Sequence, residues 1–155
     1  MFSNQFTAPP RRRRTLGPPR AVARVLAAAG LAVDAYVHAH LADRYDGVSA
    51  VVGQGDLFRA EAGLAALAAL LVLVWRRVPG DVFAWLVAAG GLALLLVYRY
   101  VDVGTLGPVP NMYEPVWFGQ KRLTAVAQAV AVLATIFLLC TYPRGGAHAR
   151  RDRLG

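Results

Sequence analysis

Residues 82–101, VFAWLVAAGGLALLLVYRYV, decide the fold. They form a run of twenty residues in which Arg99 is the only charged residue. An α-helix rises about 1.5 Å per residue, so twenty residues reach across the roughly 30 Å of a bilayer's hydrocarbon core. A run of this length and apolarity is typical of a transmembrane helix and not of a helix in a soluble domain. The stretch therefore predicts one membrane span.

Three other stretches have the same character, so the predicted spans are 21–41, 57–75, 82–101 and 123–142. Of the 155 residues, 57% are hydrophobic and 17% charged, which also favours a membrane protein. We predict an all-α, polytopic integral membrane protein whose domain, residues 21–142, is a four-transmembrane-helix bundle. A cleaved signal peptide is the alternative for the first span, but no small-residue cleavage site ends it convincingly.

The arginines predict the orientation of this bundle. Twelve of the 17 lysines and arginines lie in the two tails, at the start of the first span or in the Arg76–Arg77 turn, and five lie on the other side. The positive-inside rule then predicts that both termini lie in the cytoplasm. We expect the protein to lie in the plasma (inner) membrane. We expect residues 1–20, with four prolines and the Arg11–Arg14 run, to be a disordered basic tail and residues 143–155 to be a second basic tail.

Charge and cysteine content exclude two classes of function. The net charge of +8 would suggest nucleic acid in a soluble protein, but here the basic residues flank apolar spans, so the bilayer is the expected partner and nucleic acid is not. Cys140 is the single cysteine, which leaves no internal disulfide and no Cys-x-x-Cys pair. Thiol oxidoreductase chemistry of the four-helix, quinone-linked kind is therefore excluded.

The connections carry helix-start signals. Asp56 is predicted to be the N-cap of the second helix. In the 104–120 loop, Asn111 and Glu114 have the spacing of a capping box, and Trp117 and Phe118 suit the headgroup layer. A short interfacial helix leading into the fourth span is the predicted result.

Ionisable residues inside spans are costly unless they are paired or solvated. Asp34 lies inside the first span, and His38 follows at i+4 on the same face, whereas His40 points the opposite way. Polar residues of the other helices lie at matching depth. The predicted polar site is Asp34, His38, Glu61, Arg99 and Gln128.

Three interpretations of this site are open. In the first, the residues only join helices, with Asp34 bonded to His38 or Arg99 and Glu61 bonded to Lys121 or Arg122. In the second, they line a pocket for a small molecule such as a quinone. In the third, Asp34, His38 and Glu61 hold a metal ion. Haem would need a second inward histidine, which the sequence does not offer. The other half of each span is nearly free of polar groups, which argues against a channel or pump.

The loop GPVPNMYEPVWF at residues 107–118, together with this topology, resembles uncharacterised small four-helix membrane proteins of actinobacteria. In layout, residues 20–142 are similar to the DoxX-like group, from which no catalytic residue can be carried over. We expect a non-enzymatic accessory or binding protein without a cofactor, whose partner is another membrane protein or a small apolar ligand. The alternative is a quinone, small-molecule or metal-binding protein associated with an oxidoreductase, using Asp34 and His38.

Overall fold

A computed structural model of the protein describes residues 17–48 and 51–142, and this part of the chain is mainly helical. The long helices are α1 (Gly17–Ala42), α2 (Gln54–Leu70), α3 (Val78–Tyr100) and α4 (Gly119–Cys140). A 3-10 turn follows α1, and the π-helical segment Leu71–Trp75 continues α2. The predicted tail at 143–155 and most of the tail at 1–20 lie outside the described residues.

The four helices are long and apolar enough to cross a membrane, as the four apolar stretches predict. All four begin three or four residues earlier than predicted, and α1 therefore takes in residues 17–20, which the sequence assigned to the tail. Pro18 and Pro19 lie in the first turn of α1, and Pro79 lies in that of α3. Proline is tolerated in a first turn because its missing N–H would have no helical partner there. These prolines therefore belong to the first turns of helices and not to the segments that precede the helices.

The helices form an up-and-down bundle in which α1 packs against α2 and α4, and α3 packs against the same two helices. The connections at 43–53 and 101–118 meet at one end of the bundle, where the Val52 amide donates to the Pro108 carbonyl at 3.0 Å. We call this the loop end. The opposite, terminal end carries Gly17, the Arg76–Arg77 turn and Tyr142.

Small side chains allow the helices to approach closely. A Cβ placed on Gly30 of α1 would lie 2.5 Å from the Ala127 carbonyl oxygen of α4, so that position requires glycine. Small residues at such contacts let helix backbones pack by van der Waals attraction, which drives association in lipid. The middle of the bundle is an apolar layer that includes Ala27, Leu31, Ala65, Ala68, Val72, Ala88 and Ala131.

A buried ion pair joins three elements at the terminal end. Arg24 of α1 donates to both carboxylate oxygens of Asp81 on α3, at 2.8 and 3.1 Å, and both side chains are buried. The same guanidinium donates at 2.9 Å to the Val72 carbonyl in the π-helical segment. The prediction that this half is nearly free of polar groups therefore missed a buried ion pair. Near the span ends, Arg24 and Asp81 resemble ordinary flanking charges, and only the packing brings them together.

Arg20, one turn before Arg24, binds the end of α4. Its guanidinium donates to the Leu138 carbonyl at 2.9 Å and to the Thr141 hydroxyl at 2.7 Å, and it lies 5.3 Å from the centre of the Tyr142 ring. The last carbonyls of a helix have no internal partner, and a cation there also suits the helix dipole. Arg20 and Arg24 thus stabilise helix ends besides contributing to the charge asymmetry.

The predicted start signals of α2 and α4 are wrong. The N-cap of α2 is Gly53, so the helix begins three residues earlier than predicted and Asp56 lies in its first turn. The Gln54 amide donates to the Val48 carbonyl at 2.8 Å. Residues 101–118 contain no helix in the structure. Asn111 uses its side-chain oxygen to accept from the Tyr113 amide at 2.9 Å, a local turn that competes with helix formation.

Removing one member of the Arg24–Asp81 pair would leave the other charge buried alone. Arg24→Leu or Asp81→Leu is expected to lower the free energy of unfolding by about 3–5 kcal/mol, and the double variant is expected to lose much less than the sum of both. Arg77→Leu removes the same charge from an exposed position and should change stability by less than about 0.5 kcal/mol. Unfolding in mild detergent measures all four. Additive losses in the double variant would show that the two charges are not coupled.

Candidate ligand-binding site

Asp34 is the centre of a buried polar cluster. Its side chain is fully buried, and its Oδ1 lies 2.9 Å from Nδ1 of His38 and accepts from the Gln128 amide at 2.9 Å. The same imidazole nitrogen lies 3.0 Å from the Asp34 backbone carbonyl. His40 is exposed and stacks on Tyr36, with 5.9 Å between the ring centres. The i, i+4 spacing on α1 thus brings Asp34 and His38 together and leaves His40 outside.

Glu61 of α2 joins this cluster beside Gly91 of α3. A Cβ at Gly91 would lie 2.8 Å from Oε1 of Glu61 and would collide with the Gln128 amide nitrogen. Because the Gln128 amide also binds Asp34, this position brings Glu61 next to the partner of Asp34. The absent side chain at position 91 therefore provides the room in which helices α1, α2 and α4 bring polar groups together. We call Asp34, His38, Glu61 and Gln128 the polar cluster.

Arg99 does not belong to the polar cluster. Its guanidinium lies 4.9 Å from the centre of the Tyr100 ring and 5.4 Å from that of Trp117, at the loop end of α3. Among the described residues, no ion pair links Arg99 to Asp34 or Glu61. The predicted Asp34–Arg99 contact is wrong, because stacking on two aromatic rings turns this side chain away.

Lys121 is also placed differently from the prediction. Its ammonium donates to the Glu114 carbonyl at 2.7 Å and lies 3.5 Å from the carboxylate of the same residue. The predicted Glu61–Lys121 and Glu61–Arg122 pairs are not among the ion pairs of the described residues. The 101–118 loop brings its own acid to Lys121, so Glu61 keeps no lysine or arginine partner in this part of the chain.

A cavity of about 440 Å³ lies between the polar cluster and the loops at the loop end. Pockets for small molecules commonly have a volume of this order, with apolar walls and few polar groups. His38 and Glu61 line its inner end, and Val109, Met112 and Phe118 of the second loop and its junction with α4 line the other end. The walls are mainly apolar or aromatic and include Leu41, Leu57, Phe58, Leu64, Leu94, Leu95 and Tyr98.

Glu114 fixes the loop over this cavity. The Tyr45 hydroxyl donates to its carboxylate at 3.0 Å, and its amide donates to the Tyr98 carbonyl at 3.0 Å. With Lys121, these contacts join the loop to three helices. The sequence interpretation missed Tyr45 and the role of Glu114, which it took for a capping residue. The sequence did contain a signal against a helix here: Glu114 precedes Pro115, and the residue before a proline favours an extended backbone.

Several buried polar atoms of the cluster and the cavity lack a partner. Within residues 17–48 and 51–142, four side-chain oxygens are inaccessible and make no hydrogen bond: Asp34 Oδ2, Glu61 Oε1, Thr124 Oγ1 and Gln128 Oε1. Two other such atoms, on Trp85 and Arg99, lie outside the cluster. Buried polar atoms in folded proteins are nearly always paired, so four unpaired oxygens in one region indicate a place for hydrogen-bond donors.

The interpretation of Asp34, His38 and Glu61 as a metal site has no support among the described residues. In the described part of the chain, no three histidine, cysteine or acidic side chains are arranged to hold a metal ion. The His38 Nδ1 atom points to the Asp34 carboxylate and backbone, so these groups bind each other and do not converge on a shared centre.

Arg59 holds the first loop near the cavity mouth. It contacts Asp43 at 2.9 Å, Asp46 at 2.8 Å and Asp56 at 3.3 Å, and all four side chains are exposed. Hydrogen bonding to Arg59 lowers the pKa of Asp46 below its usual range. The contact is therefore present at neutral pH and is lost as the pH falls through that lowered pKa.

Comparisons with protein-family models, with curated proteins and with solved structures found no match. The similarity to the DoxX-like group stays a prediction. The chemistry of the cavity is therefore the basis for a proposed function.

The role of Gly91 can be tested against its neighbour. Gly91→Ala should displace the Gln128 amide and the Glu61 carboxyl and cost about 1–3 kcal/mol of stability, because a methyl group would occupy their place. Gly90→Ala meets no atom within 4 Å and should stabilise the helix by up to about 1 kcal/mol. Thermal unfolding in detergent compares them. Equal stability of the two variants would contradict the described packing.

Proposed function

We propose that this protein is a multi-pass membrane protein that binds a small amphipathic molecule in the loop-end cavity. One observation carries the proposal: an apolar cavity is lined by Glu61 and Thr124, each of which has a buried side-chain oxygen without a partner in the described part of the chain. The apolar body of a ligand would lie against the leucine and aromatic walls. Its polar head would donate a hydrogen bond to the carboxyl group of Glu61.

Binding is favoured over a purely structural role by the state of the cluster. Polar contacts that only join helices would satisfy their own hydrogen bonds, as Arg24 and Asp81 do at the other end. The polar cluster instead leaves acceptors unpaired beside an open volume. A non-enzymatic binding or accessory role needs only these acceptors and the open volume beside them.

The second candidate is a quinone-binding protein associated with an oxidoreductase. The Asp34–His38 pair favours it, since an imidazole hydrogen-bonded to a carboxylate at the cavity's inner end can accept and return a proton. Mass spectrometry of protein extracted in mild detergent separates the candidates. A bound quinone would favour this second role, and a stoichiometric protein partner without a ligand would favour an accessory role.

The cavity is expected to close when its wall is filled. Ala60 lines it, so Ala60→Trp should weaken binding of the neutral probe 1-naphthylmethanol by at least about tenfold. Ala66→Trp adds the same side chain to an exposed position of α2 that does not line the cavity, and it should bind as the wild type does. Fluorescence titration in a non-ionic detergent measures both. Unchanged binding in the Ala60 variant would place the probe elsewhere.

In the proposed orientation, the protein lies in the plasma membrane. Its cavity mouth faces the outside of the cell, and its terminal end faces the cytoplasm. The excess of arginine at the terminal end supports it. In a Cys140→Ala background, a cysteine at exposed Val51 should react with an impermeant maleimide in intact cells. A cysteine at Gly17 should react only after permeabilisation. Labelling of the Gly17 variant in intact cells would reverse the orientation.

A further inference from the structure

Negative charge exceeds positive charge at the inner end of the loop-end cavity. The ionisable groups that line the cavity or contact those that do are Asp34, His38 and Tyr45 on α1 and its extension, Glu61 on α2, Tyr98 on α3, Glu114 in the loop and Lys121 on α4. Lys121 and the Tyr45 hydroxyl satisfy Glu114. Two carboxyl groups then share one imidazole. Even with a protonated His38, one ionised carboxylate has no counter-charge among the described residues.

A buried carboxylate without a counter-charge is costly, and two occupants can relieve that cost. One is a proton bound to a carboxyl group of the polar cluster. The other is a cation that enters the cavity. Ionised carboxylates accept hydrogen bonds and cannot donate them, so an occupant has to bring donors. An ammonium group supplies both the donors and the charge.

The cavity walls suit the rest of such a cation. The rings of Tyr45, Phe58 and Tyr98 line the same space as Glu61, and aromatic faces attract cations. Thr124 of the fourth helix also lines the cavity.

We infer that the ligand is a monocation with an apolar body, of the class of primary or secondary lipophilic amines; this inference rests on the proposed binding function. The ammonium head pairs with Glu61 and replaces a proton on that carboxyl group. In this step, a protonated Glu61 carboxyl and an ammonium ion form an ammonium–carboxylate pair, and one proton is released. Binding is thereby linked to proton release.

Two probes of matched shape test the charge. 1-Naphthylmethylamine is a cation at neutral pH, and 1-naphthylmethanol is its neutral counterpart. In non-ionic detergent, the amine should bind the wild-type protein at least about tenfold more tightly than the alcohol, since hydrogen bonds between charged groups are the stronger ones. Titration in weakly buffered solution with a pH indicator should show release of up to one proton per bound amine and none per bound alcohol.

Variants of Glu61 assign the effect to this carboxyl. Glu61→Gln should bind both probes equally and release no proton, while Glu61→Asp should keep the preference for the amine. His40→Gln, on the exposed side of α1, should match the wild type. Alcohol binding and thermal unfolding report whether the Gln variant folds; if it does not, the wild-type preference and the Asp variant still decide.

The outcomes separate the inference from the proposed function. If the amine binds no more tightly than the alcohol while Ala60→Trp still weakens alcohol binding, the cation assignment is wrong and the cavity remains a binding site. A preference for the amine that persists in a folded Glu61→Gln variant also overturns the assignment. If neither probe binds the wild-type protein, both the function and the inference fall.

Discussion

The buried ion pair between Arg24 and Asp81 is the contact on which the terminal end of the bundle depends. A guanidinium in an apolar interior has to be paired, and Arg24 uses one carboxylate and one backbone carbonyl from two other elements. These partners fix the rotation of α1 relative to α3 and to the end of α2. That rotation also determines which face of α1 carries Asp34, ten residues further along, into the bundle.

Buried polar groups are paired at the terminal end of the bundle and partly unpaired at the loop end. At the terminal end, Arg20 and Arg24 bind acceptors at the ends of neighbouring helices, and these contacts stabilise the fold. At the loop end, Asp34 and Glu61 keep unpaired oxygens beside a cavity. The apolar layer that includes Leu31, Ala65 and Ala131 lies between the two groups. This contrast supports assigning stability to one end and ligand binding to the other.

The cavity exists because small and rigid residues keep space open at the loop end. Gly91 leaves room for Gln128 and Glu61, and the 101–118 loop runs over the opening as an irregular chain held by Glu114. An interfacial helix in that loop would have presented different side chains to the cavity. The proline-restricted backbone instead places Val109 and Met112 in its wall.

The sequence by itself determined the four helices, the all-α class and the pairing of Asp34 with His38, because apolar length and i, i+4 spacing act within one segment of chain. It also brought Glu61 and Gln128 into the candidate site, since both lie at the depth of Asp34. Only the tertiary structure decided that Arg24 meets Asp81, that Arg99 turns to aromatic rings and that Lys121 pairs with Glu114. These contacts depend on how each helix rotates about its own axis and on the path of an irregular loop. Neither quantity is encoded in the periodicity of a single helix; both follow from packing among all four.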